Sequence, residues 1–410
     1  MPQLQEGRFL RVKLDMVTRC QLRCVMCHFA HPEFQENPNI MGGELLEKVA
    51  AELFPLAQDV VLSSSSEPLL APDLPRALEL CNKYGVPDFH FSTNCLAMTD
   101  AIMDTIIDNK MPILTVSCDS VTPEVFEKIR KPGKWEPFLR RFDIIDARKK
   151  ARGSELPHVS VTCVLMRSNI REVPDMIRFF KKRGVRDMNF VHMAVIGGLG
   201  IEDESLMNEP KLCNETLAEA QRVADEVGMN VVLPIPIAET FNEEGEVTDQ
   251  SRSDEDGGYA LLAPEVEPEG LEQSEAVAQY LNHKNREFRL AVKHKKHHNR
   301  PCYFPWFYIH VNPDGTVFPC GCWFEFTTFG DFKTQTFEEI WTGEKFTELR
   351  NQLFKFELRD VCANCSVANM GRPDVKASFS HRAKIKREER EAQVRELEAA
   401  KDQPRSGSKD

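Results

Sequence analysis

Phe9-Leu-Arg-Val-Lys-Leu-Asp-Met-Val-Thr18 alternates apolar and polar side chains, then runs into Arg19-Cys-Gln-Leu-Arg-Cys-Val-Met-Cys27. Alternation with period two predicts a strand, so Cys20, Cys24 and Cys27 fall in a strand-end loop. Cys thiolates hold iron and sulfide, and a four-iron cluster normally takes four of them. Three ligands leave one iron open to bind something else. Zinc and reactive thiols are the competing readings of the same three cysteines.

Working outward, the first half of the chain repeats one rhythm. Amphipathic stretches carrying Leu45, Leu46, Val49, Ala50 and Leu53, then Leu74, Leu78 and Leu80, then Ile102, Ile106 and Ile107 each precede a short apolar run. Those runs are Val60-Val61-Leu62, Phe89-His90-Phe91 and Ile113 to Val116. The pattern continues with Phe138, Phe142 and Ile145 before Val159 to Val164, and with Met176, Ile177 and Phe180 before Met188 to Val191. Strand and helix alternate about six times, which predicts an α/β fold: a partial (β/α)6 TIM-like barrel of parallel strands. Sites in such barrels lie where strands end, and the cysteines stand there.

With these features the chain resembles the radical S-adenosylmethionine enzymes over most of residues 8–370. The resemblance implies that Cys20, Cys24 and Cys27 hold a [4Fe-4S] cluster whose free iron is chelated by S-adenosylmethionine. Reductive cleavage then yields a 5′-deoxyadenosyl radical that abstracts hydrogen, with a flavodoxin or ferredoxin type reductant as electron donor. The family usually carries Gly-Gly-Glu-Pro after the second strand; here the stretch reads Ser65-Ser66-Glu67-Pro68. It implies that Ser65, Ser66 and Glu67 meet the methionine end of the cofactor, although Gly permits a closer backbone approach than Ser. Ser92-Thr93-Asn94-Cys95 and Val116-Ser117-Cys118-Asp119-Ser120, followed by Glu127-Lys128-Ile129-Arg130, also look familial. By resemblance Ser117 and Arg130 meet the ribose and carboxylate. The family favours an aromatic between the last two cluster cysteines; this chain has Met26, with His28 and Phe29 just after. Cys81, Cys95, Cys118, Cys163 and Cys213 stand singly in helix or strand patterns and read as thiols without function.

A second metal site is spelled out by Cys302, Cys320, Cys362 and Cys365. His310-Val-Asn-Pro-Asp-Gly-Thr-Val317 is a hairpin signature that brings the first two together. Phe337 to Trp341, Phe346 and Leu349 read as an amphipathic helix leading to the last pair. The arrangement resembles the SPASM and twitch auxiliary-cluster domains, in which a Gly stands five residues before the second Cys, as Gly315 does to Cys320. The fuller version continues with further cysteines where this chain has Gly371 and Val375, so one auxiliary [4Fe-4S] cluster is the expected count. Cys322 is left over as an alternative ligand or a thiol facing the site. A structural zinc site of four cysteines has the same ligand count.

The 410 residues fit a barrel over 8–238, a linker or insertion over 239–300, a twitch or SPASM-like domain over 301–370, and a charged tail over 381–410. Residues 239–269 hold 11 acids against Arg252 alone, while 283–300 gather seven Lys/Arg and four His against Glu287. This segment reads as a partly disordered insertion, or as a lid. A net charge of -12 argues against nucleic acid as a partner. No run of about 18 apolar residues or signal-peptide pattern occurs, so no membrane partner and a cytoplasmic setting are expected. Thirteen Cys without a secretion signal suggest reduced thiols and metal binding.

The expected function is radical oxidation of a small molecule, of sugar or cyclitol type, with the auxiliary cluster accepting an electron. His28, Glu325 and Asp331 are the candidate catalytic bases. The alternative is a peptide or protein maturase of the SPASM type. The brief segment before the first strand is too short for the N-terminal peptide-recognition domain common in those enzymes. A non-enzymatic iron–sulfur or zinc protein is the reading from another class.

Overall fold

The structure, a computed structural model, describes residues 7–31, 38–63, 66–194, 199–234, 236–237, 302, 304–323, 327–355 and 362. The expected segments 239–300 and 381–410 lie outside them.

The strand read at the N-terminus is β1 (Leu10–Leu14), and the cysteine loop after it contains a two-residue strand, β2 (Arg23–Cys24). The chain then alternates α1 (Gly43–Leu53), β3 (Ala57–Leu62), α2 (Leu74–Lys83), β4 (Asp88–Thr93), α3 (Asp100–Asp108) and β5 (Ile113–Ser117). It continues through α4 (Pro123–Ile129), β6 (Arg130–Lys131), α5 (Trp135–Arg152), β7 (His158–Leu165), α6 (Val173–Lys182), β8 (Asp187–His192), α7 (Pro210–Val227) and β9 (Asn230–Val232). Local chemistry sets the helix ends. Thr99 caps α3 by accepting from Ile102 N–H, and α5 stops at Gly153, whose φ of 59° suits a residue without Cβ.

The sheet runs β1-β3-β4-β5-β7-β8-β9 with every pair parallel. Spatial order therefore follows chain order, and right-handed crossovers in one direction lay all the helices on one face. Strand side chains on that face are apolar and sealed: Leu10, Val12, Leu14, Val60, Leu62, Phe91, Leu114, Val116 and Val161 are fully buried. The alternate residues, among them His90, Thr115, Ser160, Thr162 and Asn189, are polar and only half-buried on the other, concave face. The open sheet is the partial barrel expected, extended by one short seventh strand, β9, that the apolar periodicity did not mark.

The C-terminal hairpin joins this same sheet. After the short helix α8 (Phe304–Phe307), β10 (Tyr308–Val311) pairs parallel with the free edge of β1, with Tyr308 opposite Arg11 and Val311 opposite Leu14. β11 (Thr316–Phe318) and β12 (Gly330–Asp331) follow antiparallel, completing ten strands. Two helices, α9 (Phe337–Trp341) and α10 (Glu344–Lys355), close the described part. Two polar anchors hold the hairpin. His310 Nε2 lies 2.8 Å from Asp15 Oδ2 with both residues buried, and Lys48 Nζ on α1 donates to the carbonyls of Phe332 and Gln335 at 2.6 and 2.8 Å.

The hairpin turn depends on Gly315, whose φ is 88°; a Cβ there would stand 2.9 Å from Asp331 Oδ1 and 3.4 Å from Leu45. Left-handed backbone at a non-Gly residue costs about 1–3 kcal/mol. Gly315→Ala should therefore lower stability by that order in urea unfolding, and an unchanged midpoint would show that the turn tolerates a side chain.

Candidate functional site

The C-terminal ends of adjacent parallel strands form one rim. It holds the cysteine loop after β1, Ser66 and Glu67 after β3, Asn94 after β4 and Ser117 at the end of β5. In the loop, Leu22 N–H and Asn94 Nδ2 approach Cys20 Sγ at 3.4 and 3.7 Å, and Gln21 Nε2 donates to Asn94 Oδ1 at 2.9 Å. Cys24 lies in the β2–β6 ribbon directly opposite Arg130, and Val25 N–H donates to Ile129 O at 2.9 Å. Cys27 precedes a 3-10 turn, His28–Ala30, and its Sγ is 3.8 Å from His28 Nδ1. The His28 ring packs on Phe29 with centroids 4.4 Å apart.

Burial pushes the free thiols up, Cys20 to about 11 and Cys24 to about 12, so metal loading must expel protons. Among the described residues, only Asp59, Asp88 and His90 bring three metal-ligating side chains within 4.8 Å of one another. The three thiols are therefore spread more widely than a single tetrahedral zinc with Zn–S near ~2.3 Å accepts. Three half-buried thiols, one of them, Cys20, with two N–H groups directed at its sulfur, fit an iron–sulfur cluster, where such contacts tune the bound group. The other five predicted lone cysteines, Cys81, Cys95, Cys118, Cys163 and Cys213, are fully buried.

Arg130 is buried and its guanidinium sits 2.7 Å from Asp119 Oδ2, whose other oxygen accepts from Val164 N–H at 2.8 Å. The pair fixes a cation beside Cys24. Glu67 is buried too. Its Oε1 accepts from Thr93 Oγ1 at 2.5 Å and Leu69 N–H at 3.2 Å, and its Oε2 from Asn94 N–H at 2.8 Å. The carboxylate thus ties the end of β3 to the end of β4 and positions the Asn94 that reaches Cys20. Ser66 Oγ donates to Val17 O at 2.5 Å and stands 3.0 Å from Ser63 Oγ, while Ser117 is half-buried on the rim. Ser65 lies outside the described residues.

Cys302 and Cys320 are half-buried and both pack against Phe304, Phe307 and Tyr308 at the foot of the hairpin; Cys362 is half-buried as well. Cys365 lies outside the described residues, and Cys322 falls in the short 3-10 turn Gly321–Trp323. Of the three candidate bases, His28 stands in the cysteine loop. Asp331 sits on β12, the third strand out from β1, where Oδ1 accepts from Lys333 N–H at 2.8 Å and serves the turn. Glu325 lies outside the described residues. Sequence reading did not single out Asp119, Gln21 or the buried pair Asp15–His310. Apart from the conspicuous charges of Asp15 and Asp119 within apolar stretches, nothing in one dimension marks them.

The pattern described as the radical SAM superfamily matches residues 14–180, and the SPASM iron–sulfur cluster-binding domain matches residues 302–366. A GTP 3′,8-cyclase of Marinobacter nauticus is 26% identical over 197 residues, 48% of this chain and 57% of that protein. A probable GTP 3′,8-cyclase of Methanocaldococcus jannaschii is 26% identical over 179 residues, 43% of this chain and again 57% of the relative. The match thus spans little more than half the length of these relatives. Among solved structures, SuiB of Streptococcus suis bound to S-adenosylmethionine superposes with a TM-score of 0.57 at 11% identity, covering 89% of this chain and 72% of that one. Native anSMEcpe with bound AdoMet gives 0.55 at 16% identity, covering 87% and 86%. These likenesses show the fold. No helix among the described residues is long and apolar enough to cross a membrane.

Burial lifts the Glu67 carboxyl from its ordinary 4.5 to about 7. The folded chain then binds the proton more tightly than the unfolded one. Its contribution is complete below pH 4.5 and is lost as pH rises through about 7. Unfolding of the parent and of Glu67→Gln, measured from pH 4 to 8, should show the parent losing up to about 3 kcal/mol relative to the variant across that window. Parallel curves would mean that the folded and unfolded chains bind the Glu67 proton equally, so that burial does not raise its pKa.

Proposed function

The chain is a radical S-adenosylmethionine enzyme with a C-terminal SPASM-type iron–sulfur domain, and from that premise we propose that it oxidises a polar, hydroxyl-bearing small molecule. One observation carries the reading: the concave face below the rim is lined by Thr115, Ser117, Ser160, Thr162 and Asn189, short hydrogen-bonding side chains left half-buried. Such groups reward a ligand that hydrogen-bonds to them and penalise one that leaves them unpaired. Two relatives are named for a reaction on GTP, itself a hydroxyl-bearing small molecule, which supports a small polar substrate over a peptide.

In this reading Cys20, Cys24 and Cys27 hold the cluster that meets S-adenosylmethionine, and Cys302, Cys320, Cys362 and Cys365 hold one auxiliary cluster. When bound, the cofactors supply the radical that removes a hydrogen atom and an acceptor for the electron left behind. The chain's own residues position and balance charge. Asn94, oriented by Gln21 and by its backbone bond to Glu67, steadies Cys20. Arg130, held by Asp119, offsets negative charge beside Cys24 and would meet the carboxylate of the bound cofactor. Ser66, just after β3, and Ser117, at the end of β5, would meet the cofactor from the rim. His28 is the base we assign for the hydroxyl proton, since Asp331 is committed to its turn.

Cluster-loaded protein with S-adenosylmethionine and a flavodoxin or ferredoxin type reductant should transfer deuterium from a carbon-deuterated polyol or aminocyclitol into 5′-deoxyadenosine and release a ketone. Replacing Cys20, Cys24 and Cys27 by Ala should abolish both products. The Cys302→Ala/Cys320→Ala protein should still form 5′-deoxyadenosine while ketone falls at least ~100-fold, the scale of loss when a transition-state partner is removed. Deuterium arriving from peptides alone, or ketone formed at the parent rate by that double variant, would overturn the assignment.

A further inference from the structure

At the foot of the concave face, away from the cysteine rim, three side chains converge that neither cluster uses. Asp59 on β3 and Asp88 on β4 are paired in register, and His90 follows Asp88 by two residues on the same face of its strand. Asp59, Asp88 and His90 each bring one ligand atom to within 4.8 Å of the other two. His90 Nδ1 and Asp88 Oδ1 are 3.9 Å apart, too far for a hydrogen bond. Two ligands on one ion at about 2.1 Å stand roughly 3–3.6 Å apart, so a shift of a few tenths of an ångström seats them both.

The second observation is what these atoms lack. Asp59 is 3% exposed, and Arg11 Nη2 takes its Oδ2 at 2.9 Å. Asp59 Oδ1 is buried with no hydrogen-bond partner among the described residues, and the same holds for Asp88 Oδ1 and His90 Nδ1. Leaving one buried acceptor unmet costs about 1–3 kcal/mol, and here three neighbouring side chains each carry such an atom. Burial also pushes the Asp88 carboxyl up, and the Asp59 carboxylate beside it acts in the same direction while His90 and Arg11 oppose it. A divalent ion answers all of this together, since it would meet the buried oxygen of Asp59 that Arg11 does not take.

We propose that Asp59, Asp88 and His90 form a binding site for one divalent first-row transition ion, separate from both iron–sulfur clusters, at the end of the sheet opposite the cysteine rim. Two carboxylates and an imidazole suit Zn2+, Mn2+ or Fe2+, and three protein ligands leave coordination positions open toward the concave face. An ion there would hold an oxygen of whatever lies on that face.

The test uses full-length, cluster-loaded protein and Mn2+, which favours carboxylate and imidazole over thiolate and so leaves the cysteines alone. Titration followed by the electron paramagnetic resonance signal of free Mn2+ should show one ion bound per chain, displaced by Zn2+ as the affinity order of these ions requires. Asp88→Asn and His90→Gln should each weaken binding more than the ~10-fold that loss of an outer-shell partner costs, with cluster iron unchanged. Asp59 is left intact because its removal strands Arg11. If the parent binds neither Mn2+ nor Zn2+ outside its clusters, or if both variants bind like the parent, the three residues are a charge-balanced triad and the site does not exist.

Discussion

Right-handed crossovers impose the constraint on which this molecule depends. Because β1, β3, β4, β5, β7, β8 and β9 lie in chain order, each helix must return on the same side of the sheet. One face is thereby sealed by α1 to α7, and its strand residues are apolar. The other face is free to be polar, a liberty that parallel sheets covered on both sides do not have. The same geometry gathers every strand-end loop on one rim, so Cys20 after β1 can meet Asn94 after β4 although 73 residues separate Asn94 from its partner Gln21.

On that rim electrostatics does what backbone pairing cannot. The β2–β6 ribbon is two residues long, too short to fix Arg130 opposite Cys24 by its own ladder. The Asp119 carboxylate supplies the missing constraint, and it is itself held by Val164 N–H on β7. A buried ion pair of this kind contributes little net stability, but losing one partner leaves an uncompensated charge and costs several kcal/mol. Its value lies in register: the guanidinium can stand in one place only, beside the Cys24 thiol.

Much of this was legible in one dimension, and the reasons are physical. The apolar runs from Val60-Val61-Leu62 to Met188-Asn189-Phe190-Val191 became strands because burial against one helix layer demands that pattern. The gathering of Cys20, Cys24 and Cys27 in one loop after β1 was readable because spacing within a loop is local. Glu67 was noticed for its place beside Pro68, yet its bonds run to Thr93 and Asn94, which only the β3–β4 adjacency brings near. His90 was read as part of an apolar strand, Phe89-His90-Phe91; the rings flanking it face the helices and the imidazole faces the other way. Period-two alternation contained that information, but short runs of mixed polarity do not say which face is wet. β9 escaped notice because three residues carry too little pattern.

The hairpin shows best how topology, not motif, sets the relation between the two cysteine groups. β10 could have joined the sheet by either edge. It pairs parallel with β1, with Leu14 opposite Val311, so its turn at 312–315 points toward the rim and its foot points away. Cys320, two residues beyond the Phe318 that pairs with His310, must therefore lie at the far end of β1 from Cys20. The four steps from Arg11 to Asp15 span about 13 Å at ~3.3 Å each. The buried Asp15–His310 contact, between the residue after β1 and β10, locks that separation, since sliding β10 by one residue would turn His310 to the opposite face. In the oxidation proposed above, the two cysteine groups would thus serve from opposite ends of one strand pair, the initiator at the rim and the electron acceptor at the foot, with the polar face running between them.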